Sequence, residues 1–199
     1  MTGRSNVAAS GYASLRMTEV TPRGWLEVIC GPMFAGKSSH LLERHRTLTQ
    51  QGLGVHAFKP ARDTRYSAQQ IMTHDGASLD ATAISAAADI TASPSPVILI
   101  DEAHFFGTTL IAPVMHLVHA GRRVIVAGVD KDHRGDAFEP FPHLLIEADS
   151  VTKLHARCHQ CGAPAIHSQR MIDDDSPIVV GGADLYEARC RQCFVPMRR

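Results

Sequence analysis

The chain has no net charge, since 20 Lys and Arg balance 20 Asp and Glu. That balance argues against the broad cationic footprint that nucleic acid or an anionic membrane would require. No apolar run approaches the roughly 20 residues of a membrane span. No secretory signal and no internal repeat is visible. Cysteine is scarce, at five residues. Four of them form two C-x-x-C pairs, which favours metal binding in a reducing, cytoplasmic compartment over a disulfide framework. Residues 1–23 lack hydrophobic periodicity and read as a disordered tail. They carry Arg4 and Arg16 against Glu19 alone, a bias shared with transit peptides, and Met17 is an alternative start.

What remains is enough for one large α/β domain with a small appendage: 199 residues, 44% of them apolar. The organising stretch is Gly31-Pro-Met33-Phe34-Ala35-Gly36-Lys37-Ser38, which fits G-x-x-x-x-G-K-[ST]. The buried-strand pattern Trp25–Cys30 precedes it, and Leu41, Leu42, His45 and Leu48 follow at helical spacing. The motif thus sits on the strand–loop–helix turn that its chemistry needs. Glycines let backbone N–H groups approach a phosphate, and the helix start adds partial positive charge. Lys37 is placed to reach β- and γ-phosphates and Ser38 to ligate Mg²⁺, with Ser39 next to it.

Gly52 and Gly54 punctuate a turn before a second strand, Val55–Lys59, ended by Pro60. Residues 61–78 read as a loop with an extended piece at Ile71–Thr73, and Ser85–Ile90 as a brief helix. Val97–Ile100 is an unbroken aliphatic run, expected of a central parallel strand. Thr109–Ala120 has helical periodicity, with Pro113 in its first turn and Gly121 as its stop. Arg123–Val129 is another buried strand. Alternating strands and helices imply a RecA-like P-loop NTPase sheet over 24–149, which binds ligands beyond the carboxyl ends of its strands. After Val151 the helical signal fades, so 150–199 is expected to form a separate small domain.

Val97–Ile100 delivers Asp101-Glu102, a Walker B pattern in which Asp101 would hold Mg²⁺ and Glu102 would polarise an attacking hydroxyl. Asp101-Glu102-Ala103-His104 also spells the DEAH box of a helicase family. Such helicases close two RecA-like domains over ATP, and this chain has room for one. Cys158-x-x-Cys161 and Cys190-x-x-Cys193 can surround one Zn²⁺ tetrahedrally with no open position, a structural site. A redox pair and unrelated buried cysteines are the alternatives. Cys30 reads as core.

A phosphate loop, an acid pair followed by Phe105-Phe106, and a terminal four-cysteine knuckle together resemble the thymidine kinase family of the cellular, zinc-containing type. Asp63-Thr-Arg65-Tyr66, Thr73-His-Asp75, Gly128-Val-Asp130 and Gly181-Gly-Ala-Asp-Leu-Tyr186 match its other blocks in order. The resemblance spans about Gly24 to Phe194. It implies ATP-dependent phosphorylation of the 5′-hydroxyl of thymidine, and of deoxyuridine, with Glu102 as catalytic base and Arg65 near the transferred phosphate. The segment before the second cysteine pair corresponds to the family's lasso over the nucleoside. There Ser168, Val179, Val180, Gly181 and Gly182 would meet the base and Tyr186 the sugar, with Met33, Phe105 and Phe138 lining the pocket. A homotetramer and feedback inhibition by dTTP are also implied; the charge balance is what argues for no nucleic-acid or membrane partner. The departures are His104 for a usual Gln, His133 for a usual Phe and Ser168 for a common Thr. They bear on base selectivity and pH dependence. The alternatives are a kinase for another nucleoside and a zinc-ribbon P-loop ATPase module that binds nucleic acid.

Overall fold

A computed structural model describes residues 24–63, 69–73 and 76–196. The expected tail, Arg65, Tyr66, His74 and Asp75 lie outside the described residues. The body is a sheet of six parallel strands in the order β5-β2-β6-β7-β1-β8. Its elements in chain order are β1 (Trp25–Cys30), α1 (Lys37–Gln50), β2 (Val55–Pro60), the hairpin strands β3 (Gln70–Met72) and β4 (Ser78–Asp80), β5 (Thr82–Ile84), β6 (Val97–Ile100), α2 (Ile111–His119), β7 (Arg123–Gly128), α3 (Phe141–Glu147) and β8 (Ser150–Lys153). The α/β parallel sheet expected from the sequence is therefore present.

Alternation along each strand makes two cores. Leu26, Val28 and Cys30 face one side with Ile98, Ile100, Val124 and Val126, and α2 and α3 cover them through Val114, Leu117, Phe141 and Leu144. Ile29, Leu99, Ile125 and Ala127 face the other side, under Leu41, Leu42 and Leu48 of α1. Side chains of successive strand residues point to opposite faces, so strands buried on both sides must be apolar at every position. The buried exceptions are Lys59, near the end of β2, and Glu27, at 4% exposure, which accepts from Arg44 at 2.7 Å and Arg123 at 2.9 Å.

Three differences from the sequence reading have local causes. The helix expected over Thr109–Ala120 is α2, preceded by a 3₁₀ segment at Ala103–Leu110 that Gly107 interrupts with φ 56°, ψ −149°. The brief helix near Ser85–Ile90 is a 3₁₀ turn at Ala87–Ala92. The sheet also runs past residue 149, because β8 pairs in parallel with β1 from Glu27↔Ser150 to Cys30↔Lys153. Beyond it lie two small antiparallel pairs: β9 (Ala156–Arg157) with β10 (Pro164–Ala165), and β11 (His167–Arg170) with β12 (Tyr186–Arg189). Since all six strands of the main sheet run the same way, the loops after β1, β2, β6 and β7 meet at one edge.

Candidate active site

At that edge the phosphate loop follows β1. Gly31 has φ +147°, and a Cβ there would lie 2.4 Å from the Leu154 carbonyl oxygen. Gly36 is left-handed at φ 79° and leads into α1. Lys37 is buried and donates to the Pro32 carbonyl at 2.7 Å, so it lies folded across its own loop. Ser38 Oγ donates to Asp101 Oδ2 at 2.9 Å, and the other Asp101 oxygen accepts the Glu102 N–H at 2.9 Å. Burial, and then the Glu102 charge, push the Asp101 carboxyl up to about 7 against the Ser38 hydrogen bond. A buried carboxylate beside a hydroxyl is a hard-oxygen donor set suited to Mg²⁺.

Among the described residues, the two non-glycine residues with positive φ are Phe34 (φ 65°) and Glu102 (φ 49°). Both stand at this edge, and such strain concentrates at functional sites. Lys37, Ser38, Ser39, Gly36, Asp101 and Glu102 line a cleft with about 770 Å³ of empty space. Lys59, at the end of β2, lies in its wall 3.6 Å from Asp63; both are buried. A second cleft of about 470 Å³ adjoins it, and Met33, Glu102 and Val129 border both.

The second cleft is lined by Phe105, Phe138, His104, His133, Ser168, Val179, Val180, Gly181 and Tyr186. Gly182 reaches the first cleft. The loop between β11 and β12 is held by Arg170, only 4% exposed, and by Arg134, which donates to the Asp175 carbonyl and carboxylate. Arg170 Nη1 donates to the Asp174 and Ser176 carbonyls, each at 2.6 Å. Its Nε and Nη2 donate to the Tyr186 hydroxyl at 3.2 and 3.1 Å, and that hydroxyl donates to the Val179 carbonyl at 2.9 Å. Arg170 thus ties both limbs of the loop to one strand.

Cys158, Cys161, Cys190 and Cys193 come together with their sulfurs within 4.8 Å of one another. A Zn–S bond of about 2.3 Å in a tetrahedron sets sulfur–sulfur separations of about 3.8 Å, and Cys161 Sγ to Cys190 Sγ is 3.6 Å. Burial raises the Cys158 thiol, but backbone N–H groups of Cys190, Cys161 and Gln160 outweigh it and draw the thiol down to about 6. Four thiols at that spacing fit a structural metal.

The sequence profile described as thymidine kinase matches residues 24–194. The chain belongs to the thymidine kinase family. One curated relative, a thymidine kinase of Rhodothermus sp. (strain ITI 518), is 46% identical over 177 residues, 88% of this chain and 83% of its own. Another, from Bdellovibrio bacteriovorus (strain ATCC 15356 / DSM 50701 / NCIMB 9529 / HD100), is 44% identical over 180 residues, 89% and 88% of the two chains. A solved DNA replication initiation factor overlaps 65% of this chain and 40% of its own at a TM-score of 0.40 and 10% identity, too low a likeness to bear on function. No described helix is long and apolar enough to cross a membrane.

Measured against the thymidine kinase pattern, two expected site residues line neither cleft. Gly31 lies beneath the loop against Leu154. Ala35 packs with Phe34 on the cysteine cluster, although Phe34 also borders the first cleft. Arg65 lies outside the described residues. Sequence reasoning missed Arg170 and Lys59; for Lys59 the signal was a lysine ending an otherwise apolar strand.

All three departing positions, His104, His133 and Ser168, are buried. His104 Nδ1 accepts the Val129 N–H at 3.4 Å and lies 3.5 Å from Glu102 Oε2. His133 Nε2 lies 3.5 Å from Arg170 Nη1. Burial, and then the Arg170 charge, lower its pKa, so the ring is neutral beside the guanidinium.

A third histidine gives the fold a pH dependence. His167 stacks on Phe194 at 4.1 Å. Burial, then Lys131 and Arg191, hold its pKa down to about 4, against 6.5 normally. The folded protein thus excludes a proton that the unfolded chain accepts. The contribution is whole above pH about 6.5 and is lost as pH falls from there toward 4. Zinc-loaded wild type should lose thermal midpoint through that window faster than His167→Phe by calorimetry. Parallel curves would remove His167 as the cause.

Proposed function

We propose that this chain transfers the γ-phosphoryl group of ATP to the 5′-hydroxyl of thymidine, and of deoxyuridine, in nucleotide salvage. The observation that carries the reading is the junction of the two clefts at Glu102. One cleft holds phosphate-binding groups, the other aromatic and backbone groups suited to a pyrimidine, and a carboxylate borders both. The ATP phosphates would lie on the loop amides from Gly31 to Ser39, with Lys37 turning from Pro32 to the β- and γ-oxygens. Mg²⁺, held by Ser38 and Asp101, would supply charge neutralisation on those oxygens. Zn²⁺ on the four cysteines would be structural.

Glu102 accepts the 5′-hydroxyl proton as the oxygen attacks the γ-phosphorus. The bond from that phosphorus to the β–γ bridging oxygen breaks, and ADP leaves. Arg65 would face the charge spread over the transferred group. Backbone groups near Gly181 and Gly182, Ser168 Oγ and the Val179–Val180 segment would meet the base, between Met33, Phe105 and Phe138, with Tyr186 at the sugar. Closing the Arg170-held loop excludes water, which competes as an acceptor. Family likeness supports a homotetramer, inhibition by dTTP and a cytoplasmic location.

The test is ADP release with thymidine, with other nucleosides, and with DNA. Turnover that needs thymidine is expected. Turnover dependent on a different nucleoside would move the substrate, and thymidine-independent, DNA-stimulated turnover would overturn the kinase reading.

A further inference from the structure

Three contacts bind the phosphate loop to the chain that follows β8. Gly31 closes on the Leu154 carbonyl, leaving no room for a Cβ. The Met33 N–H donates to Ser168 Oγ at 2.9 Å, and Ser168 is only 3% exposed. Phe34 and Ala35 pack against the cluster of Ala156, Cys158, Ala165, Ala188 and Cys190. Two of those five side chains are thiols of the four-cysteine centre. The loop tip therefore rests on the metal centre, not on the sheet.

Phe34 makes that contact consequential. It holds φ 65°, a left-handed conformation that a residue with a Cβ adopts only where its surroundings impose it. The loop amides converge on a phosphate only while this backbone is held. The support is an array of alanines and cysteines with little apolar area of its own, so its rigidity must come from the atom the four sulfurs surround.

We propose that Phe34 is a positioning residue through which metal occupancy of the knuckle sets the nucleotide affinity of the phosphate loop. This rests on the reading that the loop binds phosphates and the thiols bind zinc. Coupling between two sites is reciprocal: if zinc tightens nucleotide binding, nucleotide must tighten zinc binding by the same factor. The effect needs no nucleoside, because the Phe34 contact lies outside the second cleft.

The experiment uses zinc-loaded full chain, a chromogenic zinc chelator, and magnesium in excess over ADP so that the nucleotide does not compete for zinc. ADP affinity is measured separately by calorimetry. Saturating ADP should protect the zinc, raising its affinity in equilibrium competition with the chelator by about fivefold or more, the lower end of common coupling strengths. Phe34→Ala removes the ring, and Phe34→Gly removes it while also relaxing the backbone. In both, at saturating ADP, the protection should fall to near one. Equal zinc affinities in wild type with and without ADP would overturn the proposal and leave the function intact. Undiminished protection in both variants would also overturn it, assigning the effect to global stabilisation. Failure of ADP to bind would sink the phosphate-loop reading, and this proposal with it. The wild-type comparison decides the matter even where a variant fails to fold.

Discussion

Glu102→Gln should bind ATP as wild type does and lose turnover by about 10²–10⁴-fold, the usual worth of general acid–base catalysis. The substitution preserves shape and removes the ability to take a proton. It leaves the local scaffold intact, because Asp101 is tied to residue 102 through the backbone N–H, which glutamine keeps. Asp101 itself is raised partly by the Glu102 charge. Neutralising that charge makes Asp101 easier to ionise, so magnesium-nucleotide affinity should not fall. The expected signature is a drop in kcat with KM for ATP unchanged, the mark of a group acting in the transition state. Near-normal turnover would remove Glu102 as the base. Lost ATP affinity would mean that its role is to build the loop.

Much of this site was legible because its parts are encoded locally. A phosphate loop needs glycines, a lysine and a hydroxyl within eight residues, on a strand and before a helix, and Gly31–Ser38 shows all of that in one line of sequence. Asp101-Glu102 after Val97–Ile100 is equally local. The cysteine knuckle is split across the chain, but thiol pairs have few other uses. The second cleft was different. A Phe in a pocket and a Phe in a core are the same letter, so Phe105 and Phe138 were legible only through family resemblance. Arg170 left no trace, because its partners are two carbonyls and a tyrosine hydroxyl, and carbonyls have no sequence signature. The same holds for β8, an edge strand whose Val151 is 47% exposed and whose place is set by backbone pairing with β1. The seven-residue helix α3, with Pro142 in its first turn, was too short to show a period.

Purified protein should carry one zinc per chain, and stripping the metal should abolish thymidine-dependent turnover while the α/β body stays folded. The C-terminal segment is poorly equipped to hold itself together. Its strands are two and four residues long, and isolated strand pairs of that size are marginal in water. Its core is three alanines and two cysteines, which bury little apolar area compared with the leucines and isoleucines of the main sheet. Structural zinc contributes on the order of 10–16 kcal/mol of apparent binding energy in small domains, ample to decide whether such a segment is ordered. The loop that closes the second cleft hangs between β11 and β12, and β12 leads directly into Cys190. Losing the metal should therefore free that loop and expose residues 171–176 to protease, with helix and sheet signals of the body largely retained. Cys190→Ser should behave as stripped wild type does, and added zinc should restore the wild type but not the variant. A metal-free preparation with full activity would refute the structural role of the four thiols.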